Sequence, residues 1–321
     1  MAKNSNLHAA KTAKNDEFYT QLTDIEKECK HYRDFFRGKV VYCNCDDARE
    51  SNFFKYFTLY FETLGLKKLI TTGFKADGHG VILTYDGDKN GNHIVDDEEI
   101  VVTEMQGNGD FRSEECIAIL KEADVVVTNP PFSLFREYVA QLMEYNKKFL
   151  IIGGMNAITY KEIFPLIKEN KLWLGYNQSG HGNTMYFEVP SDYKNEHNLI
   201  VDGKVVAQVT AKWFTNIDHN KRHEPLDLYK KYSAEEYPKY DNYDAIECGK
   251  TADIPMDYDG LIGVPISFLD KYCPEQFEIV DAREVALNDK QRNKNTYLIK
   301  DADSAINGKP TYARIAIRAK H

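Results

Sequence analysis

A chain of 321 residues, 42% hydrophobic and 28% charged, is long enough for one large or two ordinary domains with a sizeable core. No stretch approaches the roughly 18 apolar residues of a membrane span, and the polar start from Met1 to Lys14 lacks an apolar signal core, so a cytoplasmic location is expected. The net charge of −9 excludes a protein coated in positive charge but leaves room for a local basic groove.

Residues 1–15 carry Lys3, Lys11 and Lys14 with no acid, and read as a mobile basic arm. Asp16-Glu17-Phe18-Tyr19-Thr20 precedes a helix on which Leu22, Ile25, Cys29, Tyr32 and Phe36 share a face, with Thr23 and Glu26 spaced as a capping box. Strands and helices then alternate. Lys39 to Cys43 is a strand ending in the acidic turn Asn44-Cys45-Asp46-Asp47. Ser51 caps an aromatic helix that stops at Gly65, and Leu66 to Thr72 is a second strand.

Residues 73–100 break the rhythm with glycine, aspartate and asparagine. Asp86 to Gly91 opens like a calcium loop, but His93 stands where an apolar residue is expected and no flanking helices are evident. A hairpin turn rich in left-handed residues is the preferred reading. Ile100 to Met105 reads as a third strand, followed by Gly109-Asp110-Phe111 and a helix capped by Ser113 with Glu114 and Glu115 in its first turn.

A fourth strand, Val125-Val126-Val127-Thr128, ends abruptly in Asn129-Pro130-Pro131-Phe132. Each proline fixes φ and removes a backbone donor, so this corner is stiff and rich in acceptors beside a ring face. Such a corner suits a planar ligand with an exocyclic amino group, although a rigid strand-to-helix turn explains Pro-Pro as well. An amphipathic helix over Ser133 to Tyr145 follows, with Phe135, Tyr138, Val139 and Leu142 on one face, then a fifth strand at Phe149 to Ile152. Thr159 and Glu162 form another capping box, and Pro165 should kink or restart that helix. Further strands are expected at Leu172–Tyr176, Met185–Val189 and Val205–Phe214.

The pattern predicts an α/β fold with a doubly wound, mostly parallel sheet. Three domains follow: the arm 1–15, a sheet domain over 16–225, and a smaller irregular region over 226–321 with a basic end. In an open α/β sheet, ligands bind beyond the carboxyl ends of the strands where strand order reverses. The ends at Asn44 to Asp47, Asp110-Phe111 and Asn129 to Phe132 should converge there. There is no phosphate loop and no GxGxxG after the first strand. The six cysteines have neither zinc nor CxxC spacing, so buried thiols without disulfides are expected, and no metal.

Asp16 to Thr20, Val40 to Asp47, Gly109 to Ser113 and Thr128 to Phe132 resemble the motifs of EcoRI-type DNA adenine-N6 methyltransferases, and the likeness extends through Lys147 to Tyr176, Trp213 to His219 and Lys221 to Glu247. The resemblance covers most of the chain. It implies a class I, Rossmann-like methyltransferase domain, S-adenosylmethionine as methyl donor, and a flipped adenine in double-stranded DNA as acceptor. Carried over by motif, Asn129 and the Pro130 carbonyl would accept the adenine N6 hydrogens, Pro131 would keep the corner rigid, and Phe132 would stack on the base. Phe18, Tyr19 and Thr20 would line the methionine end of the cofactor, with Asn44 and Asp46 in the first-strand turn. Asp110 and Phe111 would hold the cofactor's adenine.

The C-terminal region would recognise the target. Lys221, Arg222 and His223, and Arg314 and Arg318 near the end, are either solvated side chains or phosphate contacts. A restriction–modification role is implied, with GAATTC as target, monomeric action, and a cognate endonuclease encoded nearby but not necessarily bound. Two departures stand out: the usual glycine-rich turn after strand one is missing, and strand two ends in Thr71-Thr72 without a ribose-gripping acid. The alternatives are another amino acceptor (RNA, cytosine N4 or a protein glutamine), or a non-catalytic DNA- or calcium-binding module.

Overall fold

The computed structural model describes residues 19–76, 78–177, 185–189, 199–201, 204–299 and 305–320. Phe18 and the basic arm lie outside them. Met1–Met155 with Gly175–Ile217 make one compact unit, and Asn156–Leu174 with Asp218–His321 make the other. The second unit thus starts before residue 225 and takes in a segment that the sequence pattern assigns to the sheet domain.

In the first unit, β1 (Tyr19–Thr20) leads into α1 (Leu22–Cys29), whose N-cap is Gln21 with no side-chain bond. The Thr23–Glu26 capping box is therefore not formed, because the helix begins one residue before Thr23. After β2 (Val40–Cys43), Ser51 caps α2 (Asn52–Leu59) by accepting from the Phe53 amide, and Gly65 closes the following helical turn at φ 61°. Next come β3 (Lys68–Gly73), β4 (Val81–Tyr85) and β5 (Val101–Glu104), then α3 (Glu114–Glu122) capped by Ser113. β6 (Val125–Thr128) passes through the Pro-Pro corner into α4 (Phe135–Glu144), and β7 (Lys148–Gly154) follows.

β2, β3, β6 and β7 are parallel neighbours in the order β3-β2-β6-β7, and their strands are largely buried. Val125, Val126 and Val127 are fully buried, each contributing roughly 1.5–3 kcal/mol by leaving water. This burial on both faces explains the unbroken apolar run. From β2 the chain steps to β3 on one side, and it later returns to place β6 on the other. The order of the sheet therefore reverses between β2 and β6.

Two expectations are corrected here. The strand expected at Ile100–Met105 is β5, an exposed antiparallel edge strand paired to β4, rather than a member of the parallel core. Its partner β4 is a regular strand hidden within the glycine- and aspartate-rich segment, and it runs antiparallel to β3. The segment Val205–Phe214, expected as one strand, is two. β9 (Met185–Glu188), β10 (Leu199–Val201) and β11 (Lys204–Val209) join β1 in a small sheet, whereas β12 (Ala211–Thr215) pairs antiparallel with β7. The break falls at Thr210, whose carbonyl accepts from the Met155 amide at 3.1 Å. (β8, Trp173–Leu174, lies in the second unit.)

The 86–99 segment is tied by its own acids. Asp88 accepts from the Gly91 and His93 amides at 2.7 Å, and Asp96 accepts from the Asn90 and Asn92 side chains at 2.7 Å. Glu99, buried, accepts from the Lys89 amide at 2.7 Å. Among the described residues no group of three or more His, Cys, Asp or Glu is disposed to hold a metal ion, and no helix is long and apolar enough to cross a membrane.

The second unit has a sheet of its own. β13 (Ile246–Glu247), β14 (Ile262–Pro265) and β15 (Phe277–Val280) combine with β18 (Arg314–Ala319) in the order β13-β14-β18-β15, while β16 (Ala305–Ile306) and β17 (Lys309–Pro310) make a hairpin. Tyr240 and Tyr243 pack in its core with Leu261, Ile299 and Ala316. The Phe164–Lys168 helix, also in this unit, carries Pro165 in its first turn, so of the two expected outcomes this proline restarts a helix and does not kink one.

Candidate active site

The Asn129–Phe132 corner stands at the carboxyl end of β6, beside the carboxyl end of β2, where the sheet reverses. Asn129 is 8% exposed, Pro130 is buried, and Pro131 and Phe132 are half-buried. The Pro131 carbonyl accepts from the Leu134 amide at 2.9 Å and opens the short helical turn Phe132–Leu134. The Phe132 ring stands edge-on to Phe187, with centroids 6.4 Å apart. Phe187 in turn faces Thr20 across the β1–β9 pair.

Thr20 thus arrives at the corner through one intervening ring. Its carbonyl accepts from the Asn52 side chain at 2.8 Å, which fixes β1 to the start of α2. Its hydroxyl is buried, with no hydrogen-bond partner among the described residues. A buried hydroxyl left so costs about 1–3 kcal/mol, and that marks a place where a ligand atom would be welcome. Tyr19 is extended beside Glu188 in the same strand pair.

The first-strand turn is stitched to β6 and α4. The Thr128 hydroxyl donates to the Asn44 carbonyl, and the Tyr138 hydroxyl donates to the Asn44 side-chain oxygen. Asp46 accepts from the Asp47 amide at 2.9 Å and from the Ser51 hydroxyl at 2.8 Å, so its carboxylate orders the entry to α2. Cys45, between them, adopts φ 67°.

Asp110 and Phe111 reach the same place by a route the sequence pattern did not show. The loop after β5 folds back on the end of β3: the Lys75 amide donates to Asn108 and the Gly80 amide to Gly107, each at 2.8 Å. Glycines make this approach achievable. A Cβ at Gly109, where φ is 82°, would lie 2.3 Å from the Gly73 carbonyl oxygen. A Cβ at Gly73 would meet the Ala48 amide nitrogen at 2.9 Å. The loop after β5, the end of β3 and the turn after β2 are therefore in backbone contact.

Arg112 grips Asp110 through two bonds of 2.9 and 2.6 Å and lies 5.3 Å over the Phe111 ring. That guanidinium holds the Asp110 carboxyl below the usual carboxylate range. Phe111 meets Tyr138 edge-on at 5.0 Å, and its carbonyl accepts from the Gln141 side chain at 3.1 Å.

Sequence reasoning missed Tyr138, Gln141, Asn52 and Arg112. A signal existed for Tyr138: a hydroxyl on an otherwise apolar helix face needs a partner once buried.

The basic candidates stand in the second unit, and Arg222, His223, Arg314 and Arg318 each lie against a ring or a carboxylate. Arg222 lies 3.8 Å over the Trp173 ring and donates to Asn170 at 2.8 Å. His223 is held by Asp218 at 2.9 Å and Glu275 at 2.8 Å, which raise its pKa. Lys221 shares the helical turn Asn220–His223 with them. Arg314 is locked to Glu247 by bonds of 2.9 and 2.6 Å in a mostly buried pair. Arg318 is exposed, 3.7 Å from Glu278.

A sheet parallel at its centre, with an Asn-Pro-Pro-Phe corner and a polar strand end converging at its reversal point, defines the class I methyltransferase fold. The model of the EcoRI adenine-specific methyltransferase family matches residues 6–320. The type II methyltransferase M.EcoRI of Escherichia coli is 49% identical over 99% of this chain and 98% of its own. M.MpnI of Mycoplasma pneumoniae is 40% identical over 98% of each chain, and M.MgeORF184P of Mycoplasma genitalium is 39% identical over 97% of this chain and 98% of its own. The chain belongs to the EcoRI adenine-specific methyltransferase family. It is a DNA adenine methyltransferase of the restriction–modification class.

Proposed function

We propose that the chain transfers the methyl group of S-adenosylmethionine to the N6 amino group of an adenine flipped out of duplex DNA, with the chemistry at the Asn129–Phe132 corner. The observation that carries this reading is the placement of that corner at the reversal between β2 and β6, among the Asn44 turn, the Asp110–Phe111 loop and Thr20. The buried Thr20 hydroxyl without a partner among the described residues fits a cofactor there. Thr20, with Phe18 and Tyr19, would take the methionine end. Asp110 and Phe111 would take the adenine, and Asn44 and Asp46 would shape the wall between. When bound, S-adenosylmethionine supplies an electrophilic methyl group.

The residues of the corner act by orientation. The Asn129 amide oxygen and the Pro130 carbonyl would accept the two N6 hydrogens, which draws the nitrogen lone pair out of conjugation with the purine ring. No strong base is needed for attack. Phe132, set edge-on to Phe187, would stack on the flipped base and repay part of the few kcal/mol that unstacking costs. Pro131 keeps these acceptors fixed.

The second unit would read the target, GAATTC if the likeness to M.EcoRI extends to specificity, and the chain would act as a monomer, with a cognate endonuclease encoded nearby but not necessarily bound. Expression in a methylation-free host, with N6-methyladenine mapped across the DNA, tests activity, acceptor and target together. Methylation confined to one adenine of GAATTC is expected. Label on cytosine, or none, would sink the reading.

A further inference from the structure

The turn after β2 lacks the glycines expected of it, yet it still takes a left-handed step at Cys45, φ 67°. For a non-glycine residue that conformation carries a cost, so something must hold it. The holder comes from α4. The Tyr138 hydroxyl donates to the Asn44 side-chain oxygen, and the Cys45 thiol donates to the same oxygen at 3.4 Å. Tyr138 is fully buried and its ring supports Phe111 edge-on, while Gln141, one helical turn on, holds the Phe111 carbonyl. The Thr128 hydroxyl fixes the Asn44 carbonyl from the other side. One helix thus braces two walls of the pocket, and that helix begins three residues after the Phe132 of the acceptor corner.

We propose that Tyr138 is a positioning residue for the cofactor, which replaces the missing glycines as the device that sets the first-strand turn. It does so by fixing Asn44 against a left-handed Cys45 and by backing Phe111, and Gln141 completes the brace. The inference rests on the reading that S-adenosylmethionine lies against Asn44 and Phe111. The Tyr138 hydroxyl bonds Asn44 and its ring backs Phe111, so its loss should weaken cofactor binding and leave the methyl-transfer step alone.

The test is calorimetric titration of S-adenosylmethionine into the full chain, with steady-state kinetics on duplex DNA, for wild type, Tyr138→Phe and Tyr138→Phe with Cys45→Gly. Tyr138→Phe keeps the ring and removes one buried hydrogen bond, so the cofactor Kd and KM should rise about ten-fold while kcat at saturating cofactor stays within about two-fold. Glycine adopts positive φ without strain, so the double variant should recover most of that affinity. Gln141→Met, at a half-buried position, tests the same brace without touching the core and should weaken binding about three-fold.

A lowered melting temperature with unchanged cofactor affinity, or an equal fall in kcat, would overturn the positioning role. Failure of the wild type to bind S-adenosylmethionine would instead overturn the cofactor reading, and this inference with it.

Discussion

The Thr128 hydroxyl donates to the Asn44 carbonyl, joining the ends of the two strands between which the sheet reverses. The bond is buried and links the residue before Asn129 to the first-strand turn. Thr128→Val keeps the shape and removes the donor, leaving a buried carbonyl short of a partner. The expected cost is about 1–3 kcal/mol of stability, read by chemical denaturation, together with weaker S-adenosylmethionine binding. A variant as stable as wild type would show that the bond is not maintained in solution.

Gly109 makes a second, sharper point. With φ at 82° and the Gly73 carbonyl oxygen 2.3 Å from where a Cβ would stand, alanine cannot be accepted without moving the loop that carries Asp110 and Phe111. Gly109→Ala should raise the cofactor Kd at least about ten-fold, since an ångström-scale shift can cost 100-fold. Unchanged affinity by calorimetry would mean that this loop does not form the pocket.

Arg314 and Glu247 lie 67 residues apart and form a mostly buried, bidentate pair with side-chain exposures of 12% and 13%. Arg314→Ala should therefore cost up to roughly 3–5 kcal/mol of stability by removing the cation from the mostly buried Glu247 carboxylate, which the Tyr240 hydroxyl still bonds. The slope of DNA affinity against salt should stay that of wild type, because a residue neutralised inside the protein releases no counterions from DNA. A shallower slope with unchanged stability would make Arg314 a phosphate contact.

His223 gives a pH signature. Asp218 and Glu275 raise its pKa above the ordinary value of about 6.5, so its stabilising effect is complete below that value and fades as pH rises through the raised one. The difference in melting temperature between wild type and His223→Gln should be largest near pH 6 and vanish by pH 9. A difference that grows with pH would contradict the ion pairs.

The parallel core and the corner were legible because Val40–Cys43 and Val125–Thr128 are apolar runs cut off by polar or proline-bearing turns, and those turns carry family motifs. The antiparallel side was not. β4 is a regular alternating strand, but it sits among glycines and aspartates that signal a loop, and β5 exposes Val101 and Val102 to solvent. Within the site, the local sequence names Asp110 and Phe111 but says nothing of Arg112 and Gln141, whose roles depend on contacts formed in the fold. The charge of Arg222 or Arg314 is visible in the sequence, while Trp173 and Glu247, which engage them, are distant in the chain.

On the proposed reading, Asn129 orients the adenine amino group rather than building the cofactor pocket. The direct measurement is Asn129→Ala, with S-adenosylmethionine affinity read by calorimetry and labelled-methyl transfer read on duplex DNA. That role leaves cofactor binding within about two-fold of wild type and reduces transfer to adenine N6 by about 100-fold or more. Retained transfer would contradict it, as would a loss of activity explained entirely by lost cofactor binding.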